Sequence, residues 1–377
     1  MAIICCFSLI AICFSLSKVH NEGFNEIYYV KFNMQIISTI VSKIRMPLWW
    51  YHLVPPIAGV VYAVLYMGDI PVEKLAMDIM LFTISIIGTA GFGYWLNDWT
   101  DLASDIKAGK PNYTKGLGWQ QKSAVLILLF TTSWLPWLFL PTHLISLSAL
   151  ILLYFCFFVY SVPPFRFKNR AFLGVLCDIH YGHVLPVVIA LSTFVPLWLP
   201  QRPVESSILI LLMLLLYLKG FRNIIEHQLS DRKNDRLNGI NTFVMSIGPL
   251  KAAKIIGFVL VPLELLVIAI LLLQWSQELF IAYFLFLALY IFLLYRWGVF
   301  HLSRRYHYLS FRYVANDFYE SFFPLSVLLI LCFRNLDYII ILLLHSVVFS
   351  KNFKLFKWIV VEIKAIFNAT HPQHLIK

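Results

Sequence analysis

Leu81-Phe-Thr-Ile-Ser-Ile-Ile-Gly-Thr-Ala-Gly-Phe-Gly-Tyr-Trp-Leu96 carries no charge and runs straight into Asn97-Asp98-Trp-Thr-Asp101-Leu-Ala-Ser-Asp105. The apolar part reads as a membrane-spanning helix over about 78–97, with the acidic part at its end. The pattern recurs further on. An apolar segment at about 205–222 leads to Asp231-Arg-Lys-Asn-Asp235-Arg-Leu-Asn-Gly239. Charged residues make up only 13% of the chain, so carboxylates grouped in two short stretches stand out. Clustered carboxylates at a membrane edge repel one another and are costly to desolvate unless positive charge sits between them. Divalent cations holding a phosphorylated ligand meet that requirement; an ordinary ion-pair network is the alternative.

Working outward, 60% of the 377 residues are hydrophobic and the mean hydropathy is +0.78, outside the range of soluble domains. Apolar runs recur from Met46 to about Phe349 with no composition break that marks a linker. They are continuous rather than alternating, which excludes a barrel. Spans are expected at about 46–66, 78–97, 123–141, 143–162, 175–199, 205–222, 252–273 and 278–297. A further stretch at about 318–349 is interrupted by Arg334 and Asp337, giving one span with a polar notch or a re-entrant hairpin. The expected fold is all-α, a polytopic membrane bundle of about nine transmembrane helices, with ten as the alternative. Residues 34–350 form the membrane domain. Residues 1–33 are an apolar and polar extension that lacks a basic region and a clear cleavage site. Residues 351–377 read as a basic amphipathic tail on the membrane surface.

The formal net charge is +11, yet the Lys and Arg residues sit mostly in short loops between spans. That argues for a cytoplasmic-side bias and against nucleic acid as a partner. Lys43 and Arg45 precede the first span, Lys107 and Lys110 follow the second, and Arg166 and Lys168 follow the fourth. Arg232 and Lys233 follow the sixth. Both acidic clusters therefore fall on the basic, cytoplasmic face. The six cysteines show no metal-ligand spacing and read as small apolar side chains.

On a helix, Asp98, Asp101 and Asp105 share a face, with Asn97 beside them. Asn223, His227, Asp231 and Asp235 form a second stripe at i, i+4 spacing. Each stripe can hold Mg²⁺ through one or two carboxylates, the remaining positions going to water or phosphate oxygens. Two stripes facing each other across a cavity can clamp a diphosphate between metals. His180 and His183 flank the expected cavity; a buried, hydrogen-bonded histidine is the commoner outcome for such positions.

The ordered motifs Asn97-Asp-x-x-Asp-x-x-x-Asp105 and Asp231-x-x-x-Asp235-x-x-x-Gly239-x-x-Thr242 resemble those of the UbiA superfamily of intramembrane prenyltransferases. Arg45-Met-Pro47 and Tyr160-Ser-Val-Pro-Pro-Phe-Arg166-Phe-Lys168 add to the resemblance, which covers about residues 43–330. The chain departs from the family pattern in having Ile224 where an acidic residue is usual, so that either Glu226 compensates or the site has one ligand fewer, and His227 where a tyrosine is common.

The resemblance implies a helix bundle around a central cavity open to the cytoplasmic side. It also implies two Mg²⁺ held by Asp98, Asp101, Asp105, Asp231 and Asp235, and transfer of a polyprenyl group from its diphosphate to an aromatic or other lipophilic acceptor. Asn97, Lys107, Lys110, Arg166, Lys168, Lys233, Tyr160 and His227 are the implied substrate-binding residues. Tyr94, Tyr154 and Tyr160 can offer aromatic faces to an allylic cation. Two alternatives keep the membrane setting. One is phosphoribosyl transfer to a polyprenyl phosphate. The other is a transporter or lipid-binding protein whose carboxylates carry a cation, although coupling sites in transporters usually lie at the midplane.

Overall fold

Backbone amides inside hydrocarbon have no water to bond to, so each apolar run closes its hydrogen bonds within itself as a helix. The computed structural model describes residues 41–68, 70, 72–198, 204–296, 314–350 and 360. Among these residues the only β feature is one isolated parallel bridge between Ala171 and Thr242. The 1–33 extension lies outside the described residues, as does the 351–377 tail apart from Val360.

The helices are α1 (Met46–Gly68), α2 (Val72–Lys107), α3 (Trp119–Trp134), α4 (Leu144–Ser161), α5 (Ala171–Ile179), α6 (Leu185–Trp198) and α7 (Ser206–Leu237). There follow α8 (Phe243–Ile247), α9 (Pro249–Ile255), α10 (Val261–Trp275), α11 (Gln277–Arg296), α12 (Phe323–Arg334) and α13 (Ile339–Val348). Single π-helical turns at His180–Val184, Ile256–Leu260 and Phe318–Phe322 join α5 to α6, α9 to α10 and lead into α12.

Seven continuous helical segments among the described residues are long and apolar enough to cross a bilayer; Gln277–Phe292 and Leu336–Val348 are apolar but shorter. The span expected at 123–141 is a 16-residue helix continued by a 3₁₀ turn at Leu135–Leu138. The stretch expected at 318–349 is two helices. The chain breaks at Asn335, whose side chain accepts a hydrogen bond from the Asp337 amide at 2.9 Å.

Two helices run far past their apolar parts. α2 has 36 residues and α7 has 32, so both acidic stripes ride on continuous helix. α7 ends where Gly239 adopts a φ of 65°, a left-handed conformation that glycine takes without steric cost. Next, the Thr242 side chain accepts from the Met245 amide at 3.4 Å and starts α8.

Packing places α1 in the middle, against α6 on one side and α12 on the other. One apolar core joins α1 to α2, α4 and α6, through Phe82, Leu153 and Phe194. The other joins it to α7, α10, α11 and α12, through Leu215, Ile268 and Phe286. Two cavities open between these layers. The larger lies among α1, α6, α7, α10 and the Phe318–Phe322 turn. The smaller lies among α1, α2, α4 and α6. Leu53 and Ile57 line both.

Candidate active site

The last turns of α2 present the first motif. The Asp98 side chain is 1% exposed, and its Oδ1 lies 2.7 Å from a guanidinium nitrogen of Arg45, at the entry to α1. The Tyr113 amide donates to Asp98 Oδ2 at 3.4 Å. The loop that follows α2 folds back over the motif. Asn112 Nδ2 donates to the Asp98 carbonyl at 2.7 Å and to Asp105 Oδ2 at 2.8 Å. The Thr114 hydroxyl and amide both donate to Asn112 Oδ1, fixing that amide group's orientation.

Asp101 receives Arg166 Nη2 at 2.8 Å and the Lys168 ammonium, both from the loop after α4. Lys168 also donates to Asn97 Oδ1 at 3.0 Å. Burial pulls the pKa of Lys168 below the usual lysine value, and the charge of Asp101 opposes that pull.

The end of α7 presents the second motif. Lys110, from the turn after the first motif, crosses to Asp231 Oδ2 at 3.0 Å. His227 Nδ1 lies 3.9 Å from the same oxygen and its side chain is largely exposed. Asp235 is buried, accepts from the Thr242 hydroxyl at 3.5 Å, and lies within Coulombic range of Asp231 and Lys110. The loop after α4 and the loop after α7 are tied together, with the Ala171 amide donating to the Asn241 carbonyl at 3.0 Å. Tyr160 lies within Coulombic range of Asp101 on one stripe and Asp235 on the other. Both motifs therefore sit at one end of the bundle and face a shared space.

Some expected residues stand apart. Lys107 and Lys233 are exposed, and among the described residues neither pairs with a motif carboxylate. Tyr154 packs into an aromatic cluster with Phe92, Phe130 and Trp134, away from the carboxylates; Tyr94 stacks on Trp49 but stays beside the site, within Coulombic range of Arg45. Glu226 does not substitute for the acidic residue absent at Ile224. It pairs with Arg222 at 3.5 Å, while Arg222 also grips Glu264 through two nitrogens at 2.6 and 3.0 Å.

The structure also adds residues that sequence reading missed. Asp178, on α5, accepts from the Tyr181 hydroxyl at 2.5 Å and lies within Coulombic range of Tyr160, Tyr94 and His227. It is a sixth carboxylate beside the same space. Arg45 and Asn112 are the other two. Arg45 carries a sequence signal as the opening of the Arg45-Met-Pro47 motif, without a role attached to it; Asn112 has only an Asn-x-Thr triplet with the look of a surface sequon.

The donor set suits a hard divalent cation. The side-chain groups at the two helix ends are carboxylate and amide oxygens, the ligands Mg²⁺ prefers. Asp98 Oδ1 is buried against the Arg45 guanidinium at 2.7 Å, so its charge is met by a cation that a metal ion can replace. Among the described residues, no three His, Cys, Asp or Glu side chains converge on one point. Mg²⁺ sites of the substrate-bridging kind use one or two carboxylates each and leave the rest to water and phosphate; the α2 end offers three carboxylates and the α7 end two.

A model of the UbiA prenyltransferase family matches residues 52–316. The chain belongs to the UbiA prenyltransferase family. Its matched segment holds both motifs and the Tyr160–Lys168 loop, and the chain is an integral, multi-pass membrane protein. Solved structures share the family fold. A UbiA homologue from Archaeoglobus fulgidus bound to GPP and Mg²⁺ is 19% identical, with a TM-score of 0.54 over 77% of this chain and 99% of that one. The same homologue bound to DMAPP and Mg²⁺ gives 18% and 0.52 over the same shares. A digeranylgeranylglyceryl phosphate synthase gives 14% and 0.51, over 77% of this chain and 96% of that one. No curated protein matches the chain.

Proposed function

We propose that this UbiA-family protein is a Mg²⁺-dependent transferase that moves an isoprenoid group from its diphosphate to an aromatic or other lipophilic acceptor. The observation that carries the reading is the crossing from Lys110 to Asp231 at 3.0 Å, which brings the turn after one motif onto the other. Its support from relatives is the structures of the A. fulgidus homologue with GPP or DMAPP and Mg²⁺.

Asp98, Asp101 and Asp105 on one side and Asp231 and Asp235 on the other would hold the metal ions, which when bound neutralise the diphosphate and make it a better leaving group. Arg45, Lys110, Arg166 and Lys168 neutralise the carboxylates in this structure and remain beside the site to bind phosphate oxygens once the carboxylates engage metal. The bond between C1 of the prenyl group and the diphosphate oxygen breaks, its electron pair leaving with the diphosphate. The acceptor bonds to C1 and gives up a proton. Water would quench the allylic cation, and the apolar walls above the motifs keep water out. Tyr160, between the stripes, offers an aromatic face to the cation.

The Lys and Arg content of the loops beside both motifs supports a cytoplasmic orientation for them by the positive-inside rule. Labelling of a single cysteine introduced at Lys233 from outside intact cells would contradict that orientation.

Membranes carrying the wild-type chain, given labelled geranyl diphosphate and a lipophilic phenol, are expected to make a prenylated product and release diphosphate. Asp98→Ala and Asp231→Ala are each expected to abolish both. Full activity in the two variants would refute the assignment. Transfer of label from phosphoribosyl diphosphate to lipid instead would establish the phosphoribosyl reaction.

A further inference from the structure

One carboxylate beside the site belongs to neither motif. Asp178 stands on α5, inside the membrane-spanning segment Ala171–Pro196, about 10 Å along the helix from Ala171. Among the described residues no lysine, arginine or histidine lies within ion-pair distance of it. An ionisable side chain within a span is expensive and marks a functional site by default. The transfer reaction releases a proton from the acceptor, and the five motif aspartates are taken up with metal. Asp178 is the carboxylate left to receive it.

A hydrogen-bonded path leads from the site to this carboxylate. The Tyr181 hydroxyl donates to Asp178 Oδ1 at 2.5 Å. Tyr160 and Tyr181 share a side-chain hydrogen bond. Since the Tyr181 proton is given to Asp178, Tyr160 is the donor to Tyr181. The two rings meet edge to face with centroids 5.3 Å apart, and Phe157 packs against Tyr181 at 5.0 Å. Tyr160 in turn lies between the two stripes, within Coulombic range of Asp101 and Asp235. Tyr181 falls in the π-helical turn His180–Val184, and such turns gather at functional sites.

The groups that face Asp178 suit proton traffic. They are phenols from three elements, Tyr94 on α2, Tyr160 on α4 and Tyr181, with Cys177 beside it and His227 opposite on α7. The His227 side chain is largely exposed and offers the proton a way out to water.

We propose that Asp178 receives the proton given up by a hydroxyl-bearing acceptor, passed through the phenols of Tyr160 and Tyr181 in series. This rests on the prenyl-transfer reading above and deepens it by setting the acceptor's class. The acceptor O–H proton moves to the Tyr160 oxygen as Tyr160 passes its own to Tyr181 and Tyr181 passes its own to Asp178. The acceptor oxygen keeps the O–H electron pair and uses it to bond C1, while the diphosphate leaves with the C1–O pair. Asp178 and Tyr181 touch no substrate in this scheme. They are positioning residues that act through Tyr160.

Two acceptors separate a proton relay from a structural part. Para-octylphenol is protonated at neutral pH, whereas its ring-tetrafluorinated analogue is ionised there and has no proton to give up. Membranes carrying the full chain receive labelled geranyl diphosphate, Mg²⁺ and one of the phenols, and prenylated product is counted. Asp178→Asn and Tyr181→Phe are each expected to slow transfer to octylphenol about a hundredfold, yet to stay within about threefold of wild type with the fluorinated phenol. The double variant is expected to lose no more than either single one, because both cut the same route. Equal losses with both phenols, no loss with octylphenol, or losses that multiply in the double variant would overturn the proposal. A wild type that transfers to neither phenol sinks the transferase reading instead.

Discussion

Asp98 and Arg45 show how the site is kept soluble in its own membrane. A carboxylate with 1% exposure needs a counter-charge, and removing one partner of such a buried pair costs about 3–5 kcal/mol. Arg45→Met is therefore expected to lower the thermal midpoint of the purified protein. Mg²⁺ with a non-hydrolysable prenyl thiodiphosphate is expected to restore most of the loss, because it supplies the missing positive charge. A loss that ligand does not restore would assign Arg45 a purely structural part.

Lys168 makes a second residue-scale prediction. It binds phosphate only when protonated, and burial has moved its pKa down. Activity that depends on it is full below that lowered pKa and falls as pH rises through it, earlier than an ordinary lysine would allow. Lys168→Arg, with a guanidinium charged throughout the range, is expected to push the alkaline fall of kcat/KM to higher pH. An unchanged profile would remove Lys168 from substrate binding.

The spacing of Asp98, Asp101 and Asp105 was legible because one helical face needs only local periodicity. The partners Arg45 and Asn112 were not, since nothing in a helix period says which distant side chain will meet it.

At the scale of elements, the span ending near residue 222 in the sequence is a helix that continues to Leu237. Hydropathy stops where the membrane stops, but i to i−4 hydrogen bonds continue into water, so an apolar window truncates such a helix. The π turns left no trace either, since a single extra residue in a turn has no compositional signature. Gly239 and Thr242 of the second motif were legible as a pattern, and the structure gives them a mechanical job. One reverses the chain at a φ of 65°; the other ties the reversal to Asp235 at 3.5 Å. Gly239→Ala is expected to cost about 1–2 kcal/mol through its left-handed backbone and to raise the KM for the donor by displacing Asp235. Circular dichroism melts and donor titrations check the two effects separately, and an unaltered KM would show that the turn does not position the site.

For the whole molecule, closure of the bundle depends on contacts no sequence pattern announces. Arg222 on α7 holds Glu264 on α10 and Asn316, just before the Phe318–Phe322 turn, at 3.0 Å. Three distant segments meet at one buried guanidinium. Arg222→Met alone is expected to destabilise by about 3–5 kcal/mol, by stranding Glu264. The double variant Arg222→Met, Glu264→Leu is expected to recover much of that, because apolar replacement of both partners of a buried pair is often nearly neutral. Melting temperatures of the three proteins decide it, and equal losses in single and double variants would contradict the account.

The helix bundle and the meeting of its two motifs at one end were readable from apolar run lengths and loop charge. The central position of α1 and the division of the interior into two cavities were not, because they follow from how side chains interlock.

The central claim is that both acidic stripes engage one diphosphate through shared metal. Anomalous diffraction from crystals soaked with Mn²⁺ and a prenyl thiodiphosphate tests it directly. The account predicts metal peaks on the Asp98–Asp105 stripe and on Asp231 or Asp235, bridged by a single diphosphate. Metal bound to one stripe alone, or a diphosphate seated away from both, would contradict it.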